Sequence, residues 1–252
     1  MPPIAFEAAA AAGLPAIAVT NFSWDWVYRH LARREPRLGP AADQAARAYA
    51  QARLLLELPF AGDLSAFPRR EPIPLVARAP WRPRHELRRA LGLGLEATIA
   101  LVSFGGIGVP GLDLAALGQL PDVFFVVTEG SGSAPNVRRL DVDSLAPRGL
   151  EYADVVAAAD VVVTKPGYGI VSEAIASGTR MVYTDRGDFP EYRVLVEGMA
   201  RWLPAVHVSN DEMRAGRLRA ALDEVMAVPF PAPPRMDGAE VAAKRILEEA
   251  GV

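Results

Sequence analysis

The sequence has no cysteine, only three histidines and only two lysines. The missing cysteine removes disulfides, thiolate metal sites and cysteine nucleophiles together. The histidines, His30, His85 and His207, stand far apart in sequence, so neither a metal triad nor a histidine-centred catalytic set is legible. Long apolar runs are absent as well. Asp154, Asp160 and Lys165 break the most hydrophobic stretch, and no window of ~20 residues reads as a membrane span. A surplus of charge is also lacking: 23% of residues are charged and the net charge is -3, which leaves no electrostatic footprint for nucleic acid. The first residues carry Glu7 and no basic residue, unlike a secretory leader. A cytoplasmic globular protein with no membrane span is the expectation.

The shortage of lysine gives one residue weight. All but two of the 27 basic residues are arginine. Lys244 falls in a polar terminal helix, whereas Lys165 follows an apolar strand, where ligands gather in α/β proteins.

What the sequence does contain is an alternation of strand and helix patterns. Prolines 68, 72, 74, 80 and 83 crowd one stretch and mark a connection. Ahead of it, residues 3–12 read as a helix, 16–20 as a strand, and "NFSWDWVYRHL" as a helix capped by Asn21 or Ser23. Residues 41–58, full of strong helix formers, read as one long helix. Beyond the connection, strands are expected at 98–103, 123–127, 136–140, 161–164, 181–184 and 202–208. Helices are expected at 83–91, 112–120, 152–158, 169–177, 190–199, 211–226 and 238–250. That alternation means βαβ units and a doubly wound parallel sheet. Three parts follow: a partial N-terminal domain at 1–75 with one clear strand, a complete domain at 76–236, and a C-terminal helix at 237–252 available to pack back on the first.

Two glycine-rich loops follow strands of the second domain. "LVSFGGIGVPG" carries Gly105 and Gly106, whose missing Cβ lets backbone N–H groups approach a phosphate. "TKPGYGIVSE" carries Lys165, Gly167, Tyr168 and Gly169 and opens a helix, whose free N–H groups and positive dipole end suit an anion. Lys165 adds a mobile positive charge fitted to a diphosphate. Ser172 and Glu173, read as lying in the first helical turn, offer acceptors for sugar hydroxyls. For Glu173 taken alone, compensation of the helix dipole is the simpler reading.

Other features carry less. Asp141-Val142-Asp143 has a metal-binding spelling but sits in a polar loop with no other metal cue, so no metal site is expected. Trp24 and Trp26 suit a core or an interface. Asp25 between them is the N-terminal carboxylate to test as a base.

The segment "AAADVVVTKPGYGIVSEAIASGTRMVYTDR" resembles the donor-binding signature of GT-B glycosyltransferases. It is similar to the C-terminal domain of the N-acetylglucosaminyltransferase of peptidoglycan synthesis. It also resembles the glycosyltransferase-like half of plant arabinokinases, where "TNFSWDW", "SFGG" and "KPGYGIVSE" recur in the same order. The resemblance implies a GT-B-like α/β fold with an incomplete or truncated Rossmann-like N-terminal domain. It implies a nucleotide-diphospho-sugar substrate, UDP-linked, with no separate cofactor and no metal. Gly105 and Gly106 would face the diphosphate, Gly167, Tyr168 and Gly169 would form the turn beneath it, and Glu173 would hold the ribose. Asp188 and Glu191 of "DFPEY" would lie on the donor-sugar side, where the family's usual Asp/Glu-Gln pair is not conserved in type. The expected activity is metal-independent hexosyl transfer. The alternatives are a non-catalytic sugar-nucleotide-binding or regulatory module and, sharing the fold, a sugar-nucleotide 2-epimerase.

Overall fold

The computed structural model describes residues 1–105 and 111–251. In chain order these form α1 (Ile4–Ala11), β1 (Ile17–Thr20), α2 (Trp24–Leu31), α3 (Gly39–Tyr49), β2 (Leu54–Glu57) and β3 (Arg70–Pro72). Next come α4 (Arg84–Leu91), β4 (Thr98–Val102), α5 (Leu114–Leu117), β5 (Val123–Val127), β6 (Val137–Arg139) and α6 (Tyr152–Ala158). The last stretch holds β7 (Val161–Thr164), α7 (Tyr168–Ser177), β8 (Arg180–Tyr183), α8 (Pro190–Met199) and β9 (Ala205–His207), then α9 (Asn210–Arg214), α10 (Arg219–Ala227) and α11 (Gly238–Ala250). No helix among the described residues is long and apolar enough to cross a membrane.

The chain divides into two compact units. The first comprises Met1–Ala77, Asp188–Gly198 and Pro234–Val252; the second comprises Arg78–Gly187 and Met199–Pro233.

The first unit holds a parallel three-stranded sheet of order β1-β2-β3. This corrects the expectation of a single strand and of a helix over 41–58. The helix stops at Tyr49, and Leu54, Leu55 and Leu56 form the central strand with all three side chains buried. A run of leucines without helical spacing is what a strand covered on both faces contains, and helix propensity yields to that burial. The stretch around Pro72 forms β3 and not only a connection. Proline is tolerated there because β3 is an edge strand, paired on one side to β2. Phe6, Tyr49 and Phe67 meet in this core, the latter two stacked at 4.9 Å between centroids.

The second unit holds a parallel six-stranded sheet of order β6-β5-β4-β7-β8-β9. The chain builds outward from β4 in one direction, then returns and builds outward from β7 in the other. This is the doubly wound arrangement expected from the alternation of elements. Val102, Phe125, Val127, Val163 and Val182 from the strands pack with Leu114, Leu117, Leu222 and Val225 from helices α5 and α10. The expected helix over 211–226 is two helices, α9 and α10, because Gly216 turns left-handed between them at φ +65°.

At the amino-terminal edge of this sheet, α4 is fastened by arginines. Arg84 donates to the carbonyls of Ala157, Ser177 and Gly178, where α6 and α7 end. Burial lowers the Arg84 pKa, and the neighbouring Asp160 opposes that fall. Arg88 is buried and donates to the carbonyls of Ala158, Leu95 and Ala97 and to Asp160 Oδ2 at 2.6 Å. The same carboxylate oxygen accepts the Ile99 N–H of β4.

Candidate functional site

Because the strand order reverses between β4 and β7, the crevice beyond their carboxyl ends is where a doubly wound sheet binds its ligand. The two strands are directly paired, with Val102 opposite Val163 and the Ser103 N–H bonded to the Val163 carbonyl at 3.1 Å. Both glycine loops therefore leave the sheet side by side, about 5 Å apart.

The first loop begins at Ser103. Its buried hydroxyl accepts a hydrogen bond from the Thr128 hydroxyl at 3.1 Å, tying the ends of β4 and β5 together. Gly105 has φ +64°, a conformation that favours glycine, and a Cβ there would meet nothing within 4 Å. Gly106 lies outside the described residues.

The second loop runs from Lys165 to Gly167, which occupies the N-cap of α7. Glycine brings no side chain to cap the helix, and no acidic residue lies in the first turn. The positive end of a ten-residue helix thus points into the crevice without a carboxylate of its own. The helix starts at Tyr168, one residue earlier than expected, so Ser172 and Glu173 belong to its second turn and not its first. Dipole compensation is therefore not what Glu173 does. Ser172 is buried and donates its hydroxyl to the Gly169 carbonyl. Gly169 itself has open space where a Cβ would project.

Two arginines outside the glycine loops complete this end of the unit. Arg186 Nη1 donates to the Pro166 carbonyl at 2.9 Å, placing a second cation under the turn. A Cβ on Gly167 would stand 3.3 Å from that nitrogen, closer than an ordinary contact, so a larger residue there must displace the guanidinium. Gly167→Ala is expected to push the Arg186 guanidinium aside and loosen the turn, weakening anion binding more than it lowers the melting temperature. Anion titration alongside thermal melts checks that order. Arg78 bridges two carboxylates, Glu173 at 2.9 Å and Glu151 at 2.9 Å. Its hydrogen bond to Glu173 is the main reason its pKa stands above the ordinary value. Glu173 is buried, and this bond fixes its carboxylate. Nothing local in the sequence marks either arginine: Arg78 lies in the proline-rich connection and Arg186 after β8.

Tyr152, the first residue of α6, stands at the same end. Burial raises the pKa of its phenol, the Ser103 side chain opposes that rise, and the charges of Glu173 and Glu129 add to it.

The second unit thus gathers Gly105, Lys165, Gly167, Tyr168, Gly169, Ser172 and Glu173. Asp25, Asp188 and Glu191 lie in the first unit. Asp188 pairs with His30 Nε2 at 2.6 Å and with Arg34 at 3.0 Å, and the hydrogen bond to His30 is the main cause of its lowered pKa. The pairing of His30 with Asp188, 158 residues away, was invisible in sequence. Glu191 is buried and accepts from the Asn21 side chain at 2.8 Å. Neither expected cap of α2 acts as one: Ser23 holds the N-cap position but donates to the Asp63 carbonyl. Asp25 is buried in the first turn of α2, and its Oδ1 has no hydrogen-bond partner among the described residues. Nearby, burial pushes the Tyr49 phenol up to about 12. Among the described residues no group of three or more His, Asp or Glu side chains is placed to hold a metal. Asp141 instead accepts the Asp143 N–H in a short 3-10 turn.

Known structures share this architecture. The glycosyltransferase of kitacinnamycin superposes with a TM-score of 0.57 at 22% identity, over 90% of this chain and 67% of that one. VinC in complex with dTDP gives 0.56 at 18% identity, over 96% and 64%. Arabidopsis thaliana UGT89C1 complexed with UDP gives 0.57 at 16%, over 89% and 62%. The fold is that of GT-B glycosyltransferases. Two curated proteins are similar in sequence. One is L-arabinokinase of Arabidopsis thaliana, 28% identical over 99% of this chain and 24% of that protein. The other is an uncharacterized glycosyltransferase of Methanopyrus kandleri, 28% identical over 68% of this chain and 52% of that protein. The chain spans about a quarter of the first and about half of the second. No family model matches it.

Proposed function

We propose that the chain binds a nucleotide-diphospho-sugar, UDP-linked, at the carboxyl ends of β4 and β7 and transfers the sugar to an acceptor hydroxyl without a metal. The observation that carries this reading is that two glycine loops leave the paired strands β4 and β7 where the strand order reverses, with α7 starting there behind a glycine N-cap. Neighbouring structures of the same fold that hold UDP or dTDP support the choice of ligand.

In the reaction, the acceptor oxygen bonds to the anomeric carbon as the bond from that carbon to the diphosphate oxygen breaks. The leaving diphosphate gains negative charge, which the N–H groups of α7 together with Lys165 and Arg186 are suited to stabilise. Glu173 would accept hydrogen bonds from the ribose hydroxyls, held in place by Arg78. The acceptor proton passes to a base, for which Asp25 is the candidate in the first unit.

A second reading, binding without transfer, draws on the engagement of Asp188 and Glu191. The two carboxylates expected beside the donor sugar are bonded to His30, Arg34 and Asn21.

Calorimetric titration with UDP tests the binding reading. Lys165→Ala removes a charge-assisted contact and is expected to weaken UDP about 10–100-fold, with Glu173→Ala similar. Absence of wild-type binding, or unchanged affinity in both variants, would sink it. Release of free UDP from a UDP-sugar, with or without an acceptor, then separates transfer from binding alone.

A further inference from the structure

Glu129 follows β5 and Thr128 at the carboxyl edge of the same sheet. Its Oε1 atom is closed off from solvent and has no hydrogen-bond partner among the described residues. Its backbone is pinned on both sides. Thr128 bonds through its N–H to the Val102 carbonyl and through its hydroxyl to Ser103. Gly130 offers its carbonyl to Arg139 at 2.6 Å, and Ser131 exchanges backbone hydrogen bonds with Leu112 and Leu114.

Three arginines at this end bond to other groups: Arg78 to Glu173 and Glu151, Arg139 to the carbonyls of Gly130 and Gly132, and Arg186 to Pro166. A carboxylate oxygen buried without a donor is costly in the free protein. The cost is relieved when a bound molecule brings an N–H or O–H group to it.

The strand order says which part of a nucleotide that would be. Lys165 and the start of α7 follow β7, whereas Glu129 follows β5, two strands away across β4. That separation is about 10 Å. The charges of both Glu129 and Glu173 act on the Tyr152 phenol, so the carboxylate read as the ribose acceptor and Glu129 stand around the same side chain. A diphosphate at Lys165 and the start of α7, with its ribose at Glu173, directs the nucleoside toward Tyr152 and Glu129.

We propose that Glu129 is a specificity-determining residue of the crevice, its buried carboxylate oxygen accepting a hydrogen bond from an N–H or O–H donor of the nucleoside. The donor is a ribose hydroxyl or the ring N–H of the base. The inference rests on the nucleotide-binding reading above and deepens it.

The test titrates wild type and Glu129→Gln with UDP, 2′-deoxy-UDP, 3′-deoxy-UDP and N3-methyl-UDP, and melts both proteins without ligand. Glu129→Gln keeps the shape and replaces the carboxylate with a neutral amide, so UDP binding should weaken about tenfold or more while the ligand-free melting temperature does not fall. A role confined to folding would move the melting temperature alone. The analogue lacking the contacted donor should bind wild type as weakly as UDP binds the variant, and should lose nothing further in the variant. The deoxy pair identifies a ribose contact and the methylated base a base contact. Unchanged UDP affinity in Glu129→Gln, or equal further losses for every analogue in the variant, overturns the proposal while leaving nucleotide binding intact. If wild type binds no nucleotide diphosphate, the binding reading itself falls and takes this one with it.

Discussion

Replacing Arg88 with alanine is expected to lower the unfolding free energy by about 3 kcal/mol, the lower end of what breaking a buried ion pair costs. Three features set that size. The guanidinium is buried, so its contacts are not diluted by water. It satisfies three carbonyls, of Ala158, Leu95 and Ala97, that lie between α4, α6 and the approach to β4. It also neutralises Asp160, whose Oδ2 serves the Ile99 N–H at the first turn of the sheet. The loss stays near the lower end because Arg84 remains 3.4 Å from the other Asp160 oxygen. For a chain of this length the melting temperature should fall by roughly 6–12 °C, at about 2–4 °C per kcal/mol. Arg88→Lys should recover little, since an ammonium cannot reach several divergent acceptors at once. Chemical denaturation of the wild type and both variants is the measurement. A change within 0.5 kcal/mol, the size of an ordinary surface substitution, would show that Arg88 is not the fastening described.

Gly238→Ala should be the most damaging small substitution in the first unit. Gly238 opens α11, and a Cβ built on it falls 2.1 Å from the Pro74 carbonyl oxygen and 2.8 Å from that of Leu75. Those obstacles are backbone, which cannot rotate away as a side chain can. The two segments are also hydrogen-bonded, Leu75 N–H to Arg235 and Gly238 N–H to Leu75. One methyl group therefore forces this pairing open or moves the helix start, at a cost of about 1–3 kcal/mol or somewhat more. Beyond the clash, α11 is held by Arg245 to Glu71 and by Glu249 to Arg53 and Arg69. These ion pairs are largely at the surface and contribute little each, so they should not rescue the docking. Hydrogen exchange should show the amides of 75 and 238–242 losing protection before those of β4 and β7. Equal protection in variant and wild type would contradict the close approach.

How far the sequence alone led depends on what each element is made of. β7 was legible to the residue, because three valines and a threonine, all β-branched, end at a lysine, a proline and a glycine. The turn and helix after it were legible for the same reason, and so was the doubly wound class. β2 was not, since its leucines are equally good helix formers and only burial between β1 and β3 decides the matter. Among the candidate ligand-binding positions, the local ones were readable: glycines, a lysine and a carboxylate within nine residues. The long-range partners were not. Arg78 reaches Glu173 across 95 positions, and His30 reaches Asp188 across 158. Arg88 does leave a trace: it sits between Leu87 and Leu91 on the buried face of α4, a place where arginine needs several acceptors.

The segment Asp188–Gly198 has a practical side. The backbone passes from one unit to the other four times, at 77–78, 187–188, 198–199 and 233–234. No single uninterrupted span of the gene encodes either unit whole. Cutting the chain once, in the proline-rich connection, would leave the segment 188–198 on one fragment while Asn21, His30 and Arg34, which bond its Glu191 and Asp188, remained on the other. Swapping modules with a relative would succeed only if the exchanged piece carried this segment with its own partners.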